Sequence, residues 1–155
     1  MYLREHNGKK ELVYEPEETI EDIEFLADKL RHKNLRPLLE PFDGVYGIPA
    51  GGVVFAVCLH YRLGLPLLLA PTKRSIIAED IVDTGKTILP YIERGMFCVS
   101  LFYNPKSICE PSMWRRKKED NIWVRFALWE GEEDRAEIST NYKSPWEEEE
   151  ENVNA

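Results

Sequence analysis

Side chains suited to ligand binding and proton transfer cluster in IIAEDIVDTGKTI, residues 76–88. An apolar run meets two adjacent carboxylates, Glu79 and Asp80, and after two aliphatics comes Asp83-Thr84-Gly85-Lys86-Thr87. A glycine turn with two threonines that opens into a helix presents backbone N–H groups and hydroxyls around a concavity. That is an anion-binding arrangement, reinforced by the positive end of the helix. The two carboxylates would repel a phosphate, but they can accept hydrogen bonds from a sugar diol or help hold Mg²⁺. A phosphorylated sugar satisfies both halves. The spacing is neither that of a G-x-x-x-x-G-K-[ST] loop nor that of a G-x-G-x-x-G turn.

These groups need a scaffold that brings strand ends together. Thr19-Ile20-Glu21-Asp22 has the form of a capping box, and Ile20, Ile23, Leu26, Ala27 and Leu30 follow at helical spacing, predicting a helix over 19–31. A short strand is expected at 11–14 and another at 44–48, followed by the glycine-rich turn 47–52 and a helix closed by Gly64. LPLLLA, IIAEDIV and FCVSLFY read as strands, KTILPYIERG as a helix whose start Pro90 delays or bends, and NIWVRFALW as a last strand. Residues 104–120 read as an irregular, basic connection. Strand–helix alternation of this kind predicts an α/β fold with a mainly parallel central sheet flanked by helices. Ligands in such sheets bind at the carboxyl ends of strands, where both glycine turns fall.

With 155 residues the chain is long enough for one domain with a real core. Its net charge of −8 is uneven: residues 131–155 hold nine acids and two bases, leaving the first 130 residues almost neutral. The unbroken run at 147–151 predicts a disordered acidic tail after a domain at 1–130 and argues against nucleic-acid binding. No apolar run approaches the ~20 residues of a membrane span. The charged N-terminus is unlike a signal peptide, so a cytoplasmic protein is expected. Cys58, Cys98 and Cys109 lack metal or redox spacing, and Cys58 and Cys98 are expected as buried thiols. His6, His32 and His60 form no metal-ligand pattern.

IIAEDIVDTGKTI resembles the signature of type I phosphoribosyltransferases, which use 5-phosphoribosyl-1-pyrophosphate (PRPP). The resemblance implies that Glu79 and Asp80 hold the ribose hydroxyls and Mg²⁺, and that Asp83, Thr84, Gly85, Lys86 and Thr87 cradle the 5′-phosphate. It implies further that Asp83 lies near the purine N7 as a candidate general acid/base. GVYGIPAGGVVFAVCLHYRLGLPLL is similar to the strand, pyrophosphate loop and helix of the purine-using members. Ile48, Pro49, Ala50, Gly51 and Gly52 would form that loop, which in many members carries a non-proline cis peptide. NIWVRFALWE resembles the C-terminal segment of microbial xanthine-guanine and hypoxanthine enzymes, which makes Trp123 the stacking candidate and Val124 the backbone contact to the base. In LFYNPKS the family lysine before the proline is Asn104; of Asn104 and Lys106, we take Lys106 as the donor to a 6-oxo group.

The resemblance thus implies the type I fold with a small C-terminal hood, a purine-salvage transferase acting on guanine, xanthine or hypoxanthine, and a homodimer. Three departures stand out. The loop after LPLLLA is only PTKRS, where larger relatives carry a long lid, so Lys73 and Arg74 are assigned to the leaving pyrophosphate. Ala50 occupies a loop position where many relatives place a cation. WVRFALWE is one residue longer between its tryptophans and lacks the family proline. The alternatives are a PRPP- or nucleotide-binding protein with little catalysis, and an enzyme for adenine, orotate or uracil.

Overall fold

The computed structural model describes residues 1–34, 42–131, 133 and 146. Four strands, β3 (Gly44–Gly47), β4 (Ser75–Val82), β5 (Phe97–Tyr103) and β6 (Met113–Lys117), lie in that order in one parallel sheet. Ile76, Ile77 and Ala78 of β4 are wholly buried, which is why this central strand reads as an unbroken apolar run instead of an alternating one. Alternation sorts the side chains onto two faces. Val45, Ile76 and Ala78 join the core beneath the helices α1 (Pro16–Asn34) and α2 (Gly51–Leu63), with Leu26, Leu30, Phe55 and Leu59. Tyr46, Ile77 and Cys98 face the other way, toward Ile88 and Tyr91 at the short helix α3 (Leu89–Glu93). Cys58 is only half-buried, packed at the edge of the first core.

α2 ends as expected, with Gly64 at φ +66° and its N–H returning to the His60 carbonyl. α1 begins at Pro16, three residues before the expected capping box. Pro16 is preset for a first helical position, and Thr19, already inside the helix, donates its hydroxyl to the Glu15 carbonyl at 2.9 Å. LPLLLA contributes no full strand. Val45 donates to the Pro66 carbonyl and accepts from Leu68 N–H, both at 2.8 Å, leaving a single bridge at Leu67. Pro66 has no N–H to extend the ladder.

The supposed irregular connection contains β6. Its arginines look solvent-bound in sequence but pack on α1: Arg115 Nε donates to Asp22 Oδ1 at 2.7 Å, Arg116 bonds both oxygens, and the Tyr14 hydroxyl donates to the same carboxylate. Asp22 is buried, and Arg115 also lies 4.2 Å above the Phe25 ring. A buried carboxylate requires such partners, because its desolvation would otherwise cost several kcal/mol.

A second sheet carries the order β1 (Tyr2–His6), β2 (Lys9–Tyr14), β7 (Ile122–Phe126), followed by the single turn α4 (Ala127–Glu130). β1 and β2 form an antiparallel hairpin over Asn7-Gly8, both at positive φ, and β7 runs parallel to β2. The hood is therefore built from both ends of the domain, not from the C-terminal segment alone. Glu11 ties its three strands, accepting from Arg4 Nε at 2.6 Å and Arg125 Nε at 2.7 Å. Burial pushes the Glu11 carboxyl up, but the bonds and charges of the two arginines together outweigh it and hold it below the ordinary range.

Among the described residues no helix is long and apolar enough to cross a membrane. The expected disorder of 131–155 falls outside the described residues except at Gly131, Glu133 and Trp146. Trp146 meets the Tyr91 ring edge-on at 4.7 Å, with the Arg94 guanidinium 3.8 Å over its own ring.

Candidate active site

The site begins at the carboxyl end of β4. Glu79 is buried, and its Oε1 accepts the Asp80 N–H at 3.2 Å; Asp80 Oδ1 accepts the Ile81 N–H at 2.9 Å. Burial, reinforced by the charge of Asp80, raises the Glu79 carboxyl well above the ordinary range. A counter-charge or a set of hydroxyl donors placed there would favour its ionised form.

The glycine loop abuts this pair. Ile48 N–H donates to the Ala78 carbonyl at 3.0 Å, and the peptide between Pro49 and Ala50 is cis, as the resemblance implies. Gly51 and Gly52 then open α2. A Cβ on Gly51 would fall on the Asp80 carboxylate, 2.5 Å from its Cγ, and one on Gly52 would lie 2.5 Å from the Ala78 carbonyl oxygen. Both positions are glycine because backbone and acid pair share one space. Loop and carboxylates form one continuous surface.

The turn at 83–87 follows. Asp83, Thr84, Lys86 and Thr87 are exposed, while Gly85 is buried at φ +86°. The Lys86 N–H reaches Thr84 Oγ1 at 3.4 Å, and the Leu89 N–H donates to the Gly85 carbonyl at 3.0 Å. Three residues not assigned to the site from the sequence brace the turn from below. Ile108 N–H donates to the Thr84 carbonyl at 2.9 Å, the Cys109 thiol donates to the Gly85 carbonyl at 3.3 Å, and Ser107 Oγ lies 2.5 Å from where a Gly85 Cβ would be. The expected long helix after the turn is reduced to α3, a single short turn of helix with Pro90 inside its start.

Beyond the turn a cleft of about 930 Å³ opens beneath the hood, lined by Lys9, Lys10, Asp83, Lys118, Trp123 and Val124 among others. Val124 is buried, whereas Trp123 is 60% exposed, so the indole is a wall of the cleft and not part of a core. Asp83 Oδ1 accepts from Asn104 Nδ2 at 2.9 Å and from Lys118 Nζ at 3.2 Å. Asn104, buried, also donates to Asp120 Oδ1 at 2.8 Å and accepts from the Lys106 N–H at 3.0 Å. The Lys106 ammonium pairs with Asp120, which lines the cleft, although Lys106 itself does not. Lys118 was missed because it sits in a basic stretch, RRKK, with nothing local to single it out.

Lys73 and Arg74 are not brought to the acid pair. They precede the amino end of β4, about 20 Å of extended chain from Asp80, and Arg74 donates to Asp43 Oδ1 at 2.7 Å.

Compared with solved structures, the chain is similar to a purine phosphoribosyltransferase from Pyrococcus horikoshii Ot3, with 23% identity and a TM-score of 0.65 over 84% of this chain and 99% of that one. It is similar to the xanthine-guanine-hypoxanthine phosphoribosyltransferase of Helicobacter pylori at 14% identity and TM-score 0.62, over 76% and 92% of the two chains. A hypothetical protein of Neisseria gonorrhoeae with bound ppGpp aligns at 15% identity and TM-score 0.57, over 80% and 92%. No protein-family model and no curated protein matches the sequence. The four-stranded parallel sheet, its flanking helices and these neighbours agree: the chain has the type I phosphoribosyltransferase fold.

Proposed function

We propose that this protein transfers the 5-phosphoribosyl group of PRPP to N9 of a 6-oxopurine (guanine, xanthine or hypoxanthine), releasing pyrophosphate and salvaging the free base as a nucleotide. The observation that carries this reading is the convergence of acid pair, glycine loop and hydroxyl-rich turn at one strand end, with an exposed indole across the adjoining cleft. Thr84, Lys86 and Thr87 and the turn's N–H groups receive the 5′-phosphate; Glu79 and Asp80 take the ribose diol. Backbone N–H groups of 50–52 face the diphosphate, and Trp123 and Val124 hold the base. The chain's contribution is then mainly positioning and electrostatics as the anomeric carbon loses its leaving group. Asp83 manages the purine proton.

Among the described residues no group of three or more His, Cys, Asp or Glu could enclose a metal. Two carboxylates alone suit Mg²⁺ that keeps waters and substrate phosphates as most of its ligands. Glu79 and Asp80 would hold it, and when bound it would neutralise charge on the diphosphate.

Trp123→Ala tests the base site. Loss of the stacking face raises KM for the purine about 10- to 100-fold, in line with ~1–3 kcal/mol per stacked base, while KM for PRPP stays within about twofold. Steady-state kinetics with each substrate varied in turn reads both values. An unchanged purine KM removes Trp123 from the site.

A second reading is a PRPP- or nucleotide-binding protein with little catalysis. It is favoured by the engagement of Arg74 with Asp43 and by the uncharged Ala50, which together leave the diphosphate side without a cationic side chain from either position. The likeness to a ppGpp-bound protein points the same way.

A further inference from the structure

We infer that Asn104 is a positioning residue for the transfer reaction: it fixes one oxygen of the Asp83 carboxylate and leaves the other to the purine. The inference rests on the acid/base reading of Asp83 above and adds the group through which that role is held.

Asp83 needs such a group. It stands on an exposed turn with 53% of its side chain open to solvent, where a carboxylate ordinarily samples several rotamers. Asn104 has no such freedom. It is 6% exposed, just past the end of β5. Its backbone N–H donates to the Val82 carbonyl at 2.8 Å, and its own carbonyl accepts from Ser107 N–H at 2.9 Å. The side-chain amide has one satisfactory orientation. Oδ1 accepts from the Lys106 N–H at 3.0 Å, while Nδ2 donates to Asp83 Oδ1 at 2.9 Å and to Asp120 Oδ1 at 2.8 Å. Turned over, the amide would set its oxygen against two carboxylates and its NH₂ against an N–H. Both amide hydrogens are spent, so Asn104 has no donor left for a ring and acts through Asp83. The same short segment grips three successive residues. The Asn104 backbone holds Val82, its side chain holds Asp83, and Ile108 N–H holds the Thr84 carbonyl at 2.9 Å.

The test is a double-mutant cycle on the full chain, read by steady-state pyrophosphate release and by calorimetric titration of PRPP with Mg²⁺. Asn104→Asp, isosteric with the native side chain, and Asn104→Leu each lower kcat about 10- to 100-fold, the cost of a misplaced reacting group. Purine KM and the Kd for PRPP stay within about threefold, since neither ligand loses a contact; retained PRPP affinity also certifies the fold. Asn104→Asp decides the case if Asn104→Leu unfolds. In an Asp83→Asn background the same changes lower kcat by less than about twofold more, because the group they position has already gone. A merely structural role repeats the full loss in both backgrounds, and that result overturns the inference. So does an unchanged kcat in Asn104→Asp, or a loss confined to purine KM, which makes Asn104 a contact of the base. If the wild type releases no pyrophosphate, the transferase reading fails and the inference falls with it. If it turns over and the two losses multiply, the assignment of Asn104 alone fails.

Discussion

Asp83→Asn lowers kcat by about 10²- to 10⁴-fold, the range lost when a positioned proton-transfer group is removed, and leaves PRPP affinity within about twofold. The geometry explains why the two effects separate. Oδ1 of Asp83 already accepts from Asn104 and Lys118, and Oδ2 takes no hydrogen bond among the described residues. An asparagine keeps the first oxygen and its two donors, so the network and the turn survive. What disappears is the carboxylate oxygen at the second position, the one to which the proposed reaction gives the purine proton. Steady-state turnover, paired with calorimetric titration of PRPP, reads both effects. An unchanged kcat ends the acid/base assignment, and loss of PRPP binding together with kcat makes Asp83 a binding residue instead.

Gly51→Ala raises the Kd for PRPP by about 100-fold, the scale of an ångström-level displacement within an organised site. The added methyl lands on the Asp80 carboxylate, so either that carboxylate turns away or the first turn of α2 retreats from β4. Each response separates the acid pair from the glycine loop, which must meet the two ends of the same ligand. The loss therefore appears in binding before it appears in the chemical step. Titration of PRPP with Mg²⁺ into the variant, alongside a thermal melt to verify folding, measures it. Affinity within twofold of wild type would show that loop and acid pair do not act on one ligand.

The local parts of this site were legible in the sequence. β4 announces itself by an apolar run that ends in two acids, α2 by the glycines before it and Gly64 after it, and the turn at 83–87 by its own residue types. What was hidden depended on partners far along the chain. β6 reads as a basic loop because Arg115 and Arg116 are made strand-compatible by Asp22, more than ninety residues away. The hood could not be assigned to both ends without the parallel pairing of β2 with β7, although Asn7-Gly8 carried a hairpin signal. Lys73 and Arg74 were chosen for their charge, and the eight-residue strand that follows sets them at the end opposite the acid pair. Lys106 was chosen for its closeness in sequence to the asparagine position. The lysine that stands beside Asp83 is Lys118, which returns on the next strand connection.

The central claim is that one strand end binds PRPP and directs it to a purine. The most direct measurement is pyrophosphate release by the wild-type chain with PRPP and Mg²⁺, run against guanine, xanthine, hypoxanthine, adenine, orotate and uracil. Turnover is expected with at least one 6-oxopurine, with a rate for adenine at least about 10-fold lower, the discrimination one charge-assisted hydrogen bond supplies. Release with none of the six, in a protein that still binds PRPP, would contradict the transferase reading and leave a binding protein in its place.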